Sequence, residues 1–133
     1  MTRSRFRYRI LSVCVLLVTL PALLLSGEHV AMLATWLPWS SSKASNSLSH
    51  ADKAIHAVLF AACGYFMVLG WMTRTVQLLP LYLALLIIGG GTEWLQGQIP
   101  GRGSDPWDLF ADAVGAALGA AAGLLRLRYL LPR

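Results

Sequence analysis

Charged residues are scarce in this sequence. Lys, Arg, Asp and Glu make up 13% of its 133 residues, which is about half of the share in soluble globular domains. Hydrophobic residues make up 56%, and they gather in long runs without charge. This composition excludes a soluble domain and indicates one compact helical unit embedded in a membrane.

Cysteines and known catalytic motifs are also rare. The two cysteines, Cys14 and Cys63, fall inside apolar runs, and we interpret both as buried free thiols that form neither a disulfide nor a metal site. There is no phosphate-binding G-x-x-x-x-G-K-[ST] loop, no H-E-x-x-H pair and no G-x-S-x-G nucleophile turn. We therefore assign no metal and no cofactor.

The basic residues that are present cluster at the two termini. The net charge is +5, a value that can indicate nucleic-acid binding. Seven arginines, however, lie beside the terminal apolar runs: Arg3, Arg5, Arg7, Arg9, Arg126, Arg128 and Arg133. That distribution is typical of the cytoplasmic side of a membrane protein. We therefore expect a lipid bilayer as the partner, and no nucleic acid.

The apolar runs predict an all-α, integral membrane four-helix bundle. The expected spans are 10–26, 54–73, 76–94 and 107–125. They form a single domain over 10–133, after a basic cytoplasmic segment over 1–9. The first run is short for a bilayer core about 30 Å thick, and a cleaved signal peptide is the alternative interpretation.

The segment after the first helix is expected to lie at the membrane surface. Residues 30–39 contain Trp36 and Trp39 and are too short to span a bilayer. A Ser-rich loop is predicted over 40–49. With both termini in the cytoplasm, the inner side carries eight basic residues and the outer side carries three, so this multi-pass orientation is the expected one.

Capping and packing signals mark the predicted helices. Ser49 and Asp52 match a capping box before the second helix. Asp105, Pro106 and Asp108 match an N-cap, a first helical position and a capping-box position at the fourth helix. Two sets of glycines predict close helix contacts, namely Gly89-Gly90-Gly91 and the four-residue repeat of Gly115, Gly119 and Gly123.

Polar residues from three helix ends are expected to meet at the outer leaflet. Ionisable residues in hydrocarbon cost roughly 2.5–3.5 kcal/mol each on insertion scales, so such a cluster needs a reason. Residues three, four or seven positions apart share a helix face, which groups seven of these residues on three faces. With Lys53 and the loop residue Arg102, they make nine predicted binding residues. They are Asp52, Lys53, His56, Glu93, Gln96, Arg102, Asp105, Asp108 and Asp112.

Most of these residues also have a structural interpretation. The predicted caps are Asp52, Asp105 and Asp108, while Lys53 is long enough to reach the interface and Arg102 to neutralise nearby carboxylates. Gln96 and His56 suit hydrogen bonds between helices. Glu93 and Asp112 are the hardest to explain in this way, because neither is a cap and a carboxylate in apolar surroundings is either paired or protonated.

The order and spacing of several motifs over residues 52–119 resemble the VanZ-like family of small bacterial membrane proteins. The matching motifs are Asp52-Lys53-x-x-His56-x-x-x-Phe60 with Gly64, Glu93-x-x-Gln96, Pro100-Gly101-Arg102, Asp108 and Gly115-x-x-x-Gly119. Asp112 departs from the pattern, since the family is expected to have Asn there. The resemblance therefore does not imply a role that needs a charge at this position.

The resemblance implies a cell-envelope protein of the bacterial cytoplasmic membrane, because the founding member of the family is linked to low-level teicoplanin resistance. We expect it to bind or protect a lipid-linked or lipoglycopeptide molecule at the outer leaflet. One alternative is an intramembrane enzyme acting on a lipid-linked substrate, with Glu93 or Asp108 as general base, His56 as acid or metal ligand, and Arg102 as an anion clamp. In that alternative, Asp52, His56, Glu93 and Asp108 are candidates to hold a divalent cation. The third alternative is a polar network that only sets helix register.

Overall fold

The structure is a computed structural model that describes residues 3–25, 32, 44–99 and 103–129. Its helices are α1 (Arg3–Leu23), α2 (Ala44–Trp71), α3 (Leu78–Gln96) and α4 (Pro106–Tyr129). A 3-10 turn, Thr75–Gln77, precedes α3. The described part of the chain is otherwise turns and bends, so the all-α four-helix prediction is confirmed.

Large apolar side chains cover the outside of the bundle. Among the described residues, four helices are long and apolar enough to cross a membrane. Leu17, Val58, Ile87 and Leu118 are each 64–75% exposed although they lie mid-helix. A soluble protein would bury most such side chains, whereas lipid tails solvate them. The chain is therefore a multi-pass membrane protein.

Successive helices alternate in direction, so α2 and α4 run parallel to each other. These two helices also pack more closely than any other pair in the described structure. Gly115 and Gly119 of α4 lie against the backbone of Ala57 and Ala61 on α2, and Gly64 of α2 lies against Ala116 on α4. A Cβ atom at any of these glycines would overlap the facing backbone carbonyl. The predicted glycine stripe is therefore confirmed as the surface that brings the two backbones together.

The basic end of the bundle, defined here by Arg5, Arg9 and Arg126, ties both α1 and α4 to α2. Arg5 donates a hydrogen bond to the carbonyl of Met72 at 3.1 Å, and Arg9 donates to that of Gly70 at 3.0 Å. These carbonyls belong to the C-terminal end of α2, where helix acceptors lack partners within the helix. Arg126 donates to the Tyr65 hydroxyl at 3.0 Å. The arginines at this end therefore also have structural roles.

Two helices begin earlier than predicted. The 21 residues of α1 include the basic segment, which gives a length of about 31 Å at 1.5 Å per residue, enough to cross a bilayer core. The predicted capping box of Ser49 and Asp52 is wrong, because α2 begins at Ala44 and passes through both residues. Extending an existing helix adds one hydrogen bond per residue, which offsets the modest propensity cost of Ser and Asn.

Other predictions differ in detail or cannot be placed. Residues 44–49 of the predicted Ser-rich loop are helical. Cys63 is a buried free thiol as predicted, whereas Cys14 is exposed on the outer face of α1. Of the predicted interfacial segment over 30–39, the structure describes Met32 alone, and the rest of the segment lies outside the described residues.

Candidate functional site

The end of the bundle opposite the arginines, called the acidic end here, collects the predicted polar residues. It combines the N-terminal parts of α2 and α4 with the C-terminal ends of α1 and α3, because successive helices alternate in direction. Eight of the nine predicted binding residues lie there: Asp52, Lys53, His56, Glu93, Gln96, Asp105, Asp108 and Asp112. The ninth, Arg102, lies outside the described residues.

The outermost part of the acidic end, called the mouth here and formed by Lys53, Asp105 and Asp108, is an ion cluster. Lys53 Nζ lies 2.6 Å from Asp105 Oδ2 and 3.2 Å from Asp108 Oδ1. Asp105 also caps α4, since its Oδ1 accepts the Trp107 backbone N–H at 2.9 Å, which confirms its predicted N-cap role. The Lys53 ammonium and this backbone donor hold the pKa of the Asp105 carboxyl below its usual value of 3.8.

Glu93 takes the place that the capping-box prediction gave to Asp108. The Asp105 backbone N–H donates to Glu93 Oε2 at 2.9 Å, and not to the Asp108 side chain. This bond ties the C-terminal turn of α3 to the start of α4 and leaves Asp108 to pair with Lys53. Glu93 is 4% exposed, so this bond holds a carboxylate that lipid and water barely reach.

Beneath the mouth lies a buried histidine–carboxylate pair. His56 Nδ1 lies 2.9 Å from Asp112 Oδ1, at hydrogen-bond distance. His56 Nδ1 is also 4.0 Å from Glu93 Oε1. His56 and Asp112 are both 0% exposed. The partner of Asp112 is therefore a histidine, and this pairing joins α2 to α4 at the depth of one helical turn below the mouth.

Gln96 links the acidic end to α1. Its Nε2 donates to the backbone carbonyl of Leu23 at 2.7 Å, at the C-terminal end of α1. Gln96 therefore makes a hydrogen bond between helices, as its structural interpretation predicted. Its Oε1 atom has no hydrogen-bond partner among the described residues.

Several buried polar atoms at this end have no hydrogen-bond partner within the described ranges. They are His56 Nε2, Glu93 Oε1, Gln96 Oε1, Asp108 Oδ1 and Asp112 Oδ2, of which Asp108 Oδ1 has its ion pair with Lys53. An unsatisfied buried polar atom costs about 1–3 kcal/mol, and native proteins contain few. Among the described residues, such atoms are therefore concentrated at the acidic end, where they offer hydrogen-bonding capacity to water or a ligand.

Gly89 is a site residue that sequence analysis did not single out. A Cβ atom at Gly89 would lie 3.0 Å from Asp112 Oδ2 and 3.3 Å from Leu109 Cδ1. The missing side chain therefore leaves the room that the Asp112 carboxylate occupies. Gly90 and Gly91 face open space in the described structure, so the three-glycine run signalled a close approach without indicating which glycine makes it.

The arrangement has the chemistry of an acid–base site or a cation site. Asp112 orients the His56 ring through Nδ1, which leaves Nε2 to donate or accept a proton. Two overlapping sets of residues offer ligand atoms within 4.8 Å of one another, His56 with Glu93 and Asp112, and Asp52 with His56 and Asp108.

No family model, curated protein or solved structure matches this chain.

Proposed function

We propose that this protein is a cell-envelope membrane protein of the VanZ-like type, and that its acidic end binds the polar part of a lipid-linked or lipoglycopeptide molecule at the outer leaflet of the bacterial cytoplasmic membrane. The observation that carries the proposal is the group of buried polar atoms without partners. They lie at the acidic end of the bundle, beneath the ion cluster of Lys53, Asp105 and Asp108.

The chemistry of those atoms defines the ligand class. Apart from Asp108 Oδ1, which pairs with Lys53, three of the remaining four are oxygens of Glu93, Gln96 and Asp112, which accept hydrogen bonds when ionised or as amide carbonyls. A matching ligand donates hydrogen bonds, as sugar hydroxyls and amines do. Lys53, with 26% of its side chain exposed at the mouth, supplies a positive group for an anionic part of the same molecule.

The distribution of arginines supports an outward-facing site. Arginines dominate the opposite end, and such residues favour the cytoplasmic side. Reporter fusions after Ala44 and Ser104 are expected to read outside, and fusions after Arg74 and Arg133 inside. A cytoplasmic signal at Ser104 would place the acidic end on the inner face and refute the proposal for an outer-leaflet ligand.

Drug susceptibility of a deletion strain is the direct functional test. We expect deletion to increase susceptibility to teicoplanin, and a plasmid copy to restore resistance. Glu93→Gln should fail to restore it while accumulating to the wild-type level, because the amide keeps the size of the side chain and removes its charge. The matched control is Gln98→Glu, which adds a carboxylate instead of removing one, at an exposed position beyond the end of α3. This variant should restore resistance fully.

A second candidate is an intramembrane acid–base enzyme acting on a lipid-linked substrate. The specific observation in its favour is the His56–Asp112 pair at 2.9 Å, which resembles the way that carboxylates orient catalytic histidines. Turnover of envelope lipids by purified protein, abolished by His56→Gln, would favour this candidate. A purely structural polar network is the third possibility, and the unpartnered atoms argue against it.

A further inference from the structure

We infer that His56 Nδ1, Glu93 Oε1 and Asp112 Oδ1 form a binding site for a divalent transition-metal cation. The three residues come from α2, α3 and α4, so the site exists only in the folded bundle. The inference does not depend on the proposed envelope ligand, because cation binding by the purified chain can be measured without that ligand.

The distances suit a cation of ordinary size. His56 Nδ1 lies 2.9 Å from Asp112 Oδ1 and 4.0 Å from Glu93 Oε1. Two ligands of a tetrahedral zinc ion, with bonds of about 2.0–2.2 Å, are about 3.4 Å apart. The two His56 distances are about 0.5 Å shorter and about 0.6 Å longer than that separation, and the three residues offer ligand atoms within 4.8 Å of one another.

One proposed ligand atom, Glu93 Oε1, lacks a hydrogen-bond partner among the described residues, and so does the second carboxylate oxygen of Asp112. Glu93 Oε1 and Asp112 Oδ2 are buried and have no hydrogen-bond partner in the described parts of the chain. Their residues are 4% and 0% exposed. Glu93 Oε1 supplies an observation separate from the clustering itself, because a cation at the site would satisfy this buried atom, which the described residues leave unpaired.

The charges favour a cation at this position. Glu93 and Asp112 bring two carboxylates to a buried site with one imidazole, and buried charges are costly unless they are paired or bind a metal. Lys53 contacts Asp105 and Asp108 at the mouth. A divalent cation would balance the two inner carboxylates, with His56 neutral and bound through Nδ1.

Neighbouring groups hold Glu93 and make room for Asp112 at the proposed site. The Asp105 backbone N–H holds Glu93 Oε2, which leaves Oε1 turned toward His56. Gly89 leaves space beside Asp112. Groups that orient ligands in this way raise metal affinity, and their removal typically costs 10–100-fold.

The donor set also selects the kind of cation. One imidazole with two carboxylates suits Zn²⁺ or Mn²⁺, whereas Mg²⁺ and Ca²⁺ favour oxygen ligands alone. The overlapping set of Asp52, His56 and Asp108 is the weaker candidate. Lys53 Nζ lies 3.2 Å from Asp108 Oδ1, and its positive charge opposes a cation there.

The test is metal binding by the full chain, purified in detergent without chelator and reconstituted into lipid nanodiscs. Calorimetric titration with Zn²⁺ should give about one site per chain, and Mn²⁺ should compete for it. Glu93→Gln and Asp112→Asn should each weaken binding at least about tenfold. Asp105→Asn removes the same charge from the mouth, keeps a good N-cap, and should change the affinity less than about twofold.

A second pair of variants tests the space beside the Asp112 carboxylate without changing any of the three ligands. Gly89→Ala should weaken Zn²⁺ binding because its Cβ displaces the Asp112 carboxylate, whereas Gly90→Ala faces open space and should not. Each variant is first checked for a single symmetric size-exclusion peak. Wild-type binding far below one Zn²⁺ per chain would overturn the inference. Full affinity in the folded Glu93→Gln and Asp112→Asn variants, or loss of binding in Asp52→Asn alone, would also overturn it.

Discussion

Asp112 on α4 lies 2.9 Å from His56 on α2, and both side chains are completely buried. The glycine stripe makes this pairing geometrically accessible. Gly115, three residues after Asp112, lies against the backbone of Ala57, the neighbour of His56. A larger residue in place of Gly115 would separate the helices and pull the carboxylate away from the ring. Close backbone packing and the polar pair are therefore parts of one arrangement.

Asp112→Asn should preserve the fold, whereas Asp112→Leu should not. Asn is nearly the same size and still offers a hydrogen-bond partner to His56 Nδ1, so its level in membranes and its thermal unfolding should match the wild type. Leu leaves a buried imidazole nitrogen unpaired, which should cost about 1–3 kcal/mol of unfolding free energy. Equal stability of the two variants would show that the hydrogen bond contributes nothing to folding. An Asn variant that folds but fails to replace the wild-type gene would show that the charge is needed for function.

Gly115→Ala should destabilise the bundle. The added Cβ would overlap the carbonyl of Ala57, and relief requires the backbones of α2 and α4 to separate. Overpacking of this kind typically costs about 1–3 kcal/mol. Gly91→Ala is the matched control, because a Cβ there meets open space and the change raises helix propensity. The measurement is thermal unfolding in detergent, and a Gly115→Ala midpoint at or above that of Gly91→Ala would contradict the packing described here.

The Lys53–Asp105 pair should make a small, pH-dependent contribution to stability. The pKa of the Asp105 carboxyl is lowered in the folded protein, first by Lys53 and then by the Trp107 backbone N–H. A lowered pKa means that the stabilisation is fully present above the ordinary value of 3.8 and is lost as the pH falls through the folded value. Wild type should therefore be more stable than Asp105→Asn at pH 7, and the difference should shrink below about pH 4.

The effect of that pair is expected to be modest, because 37% of the Asp105 side chain is exposed and exposed pairs are screened. Repeating the comparison in high salt provides the control, since salt should reduce the difference at pH 7. A stability difference that is independent of both pH and salt would mean that Asp105 acts only through its capping hydrogen bond.

Cysteine crosslinking should report the meeting of α2 and α3. His56 Nδ1 and Glu93 Oε1 are 4.0 Å apart, so the pair His56→Cys with Glu93→Cys should crosslink through a short bifunctional reagent in a background lacking Cys14 and Cys63. The control pair joins His56→Cys with Ala84→Cys. Ala84 lies nine residues before Glu93, or about 13 Å along α3. Equal crosslinking of the two pairs would indicate a loosely packed bundle.

The predictable features were those that depend on local chemistry. Long uncharged runs specify membrane helices because backbone groups in lipid must bond within their own segment. The Asp105-Pro106 start of α4 follows from the orphan amides of a helix N-terminus, and the glycine repeat follows from helix periodicity. Polar residues at helix ends that alternate in direction were therefore expected at one end of the bundle, and eight of the nine lie there.

The hydrogen-bond partners of side chains on different helices could not be predicted from local sequence patterns. Glu93, rather than Asp108, accepts the Asp105 N–H, and Gln96 bonds to Leu23 in a helix 73 residues away. The sequence contained each of these donors and acceptors, but their partners depend on the rotation of each helix about its axis. For α2 and α4, that rotation is set by the small residues that allow the closest backbone approach, namely Gly64, Gly115 and Gly119. The composition of the chain thus determined that it crosses a membrane and carries polar groups at one end, whereas only packing decided that His56 faces Asp112, because side chains select partners after the backbones have come into contact.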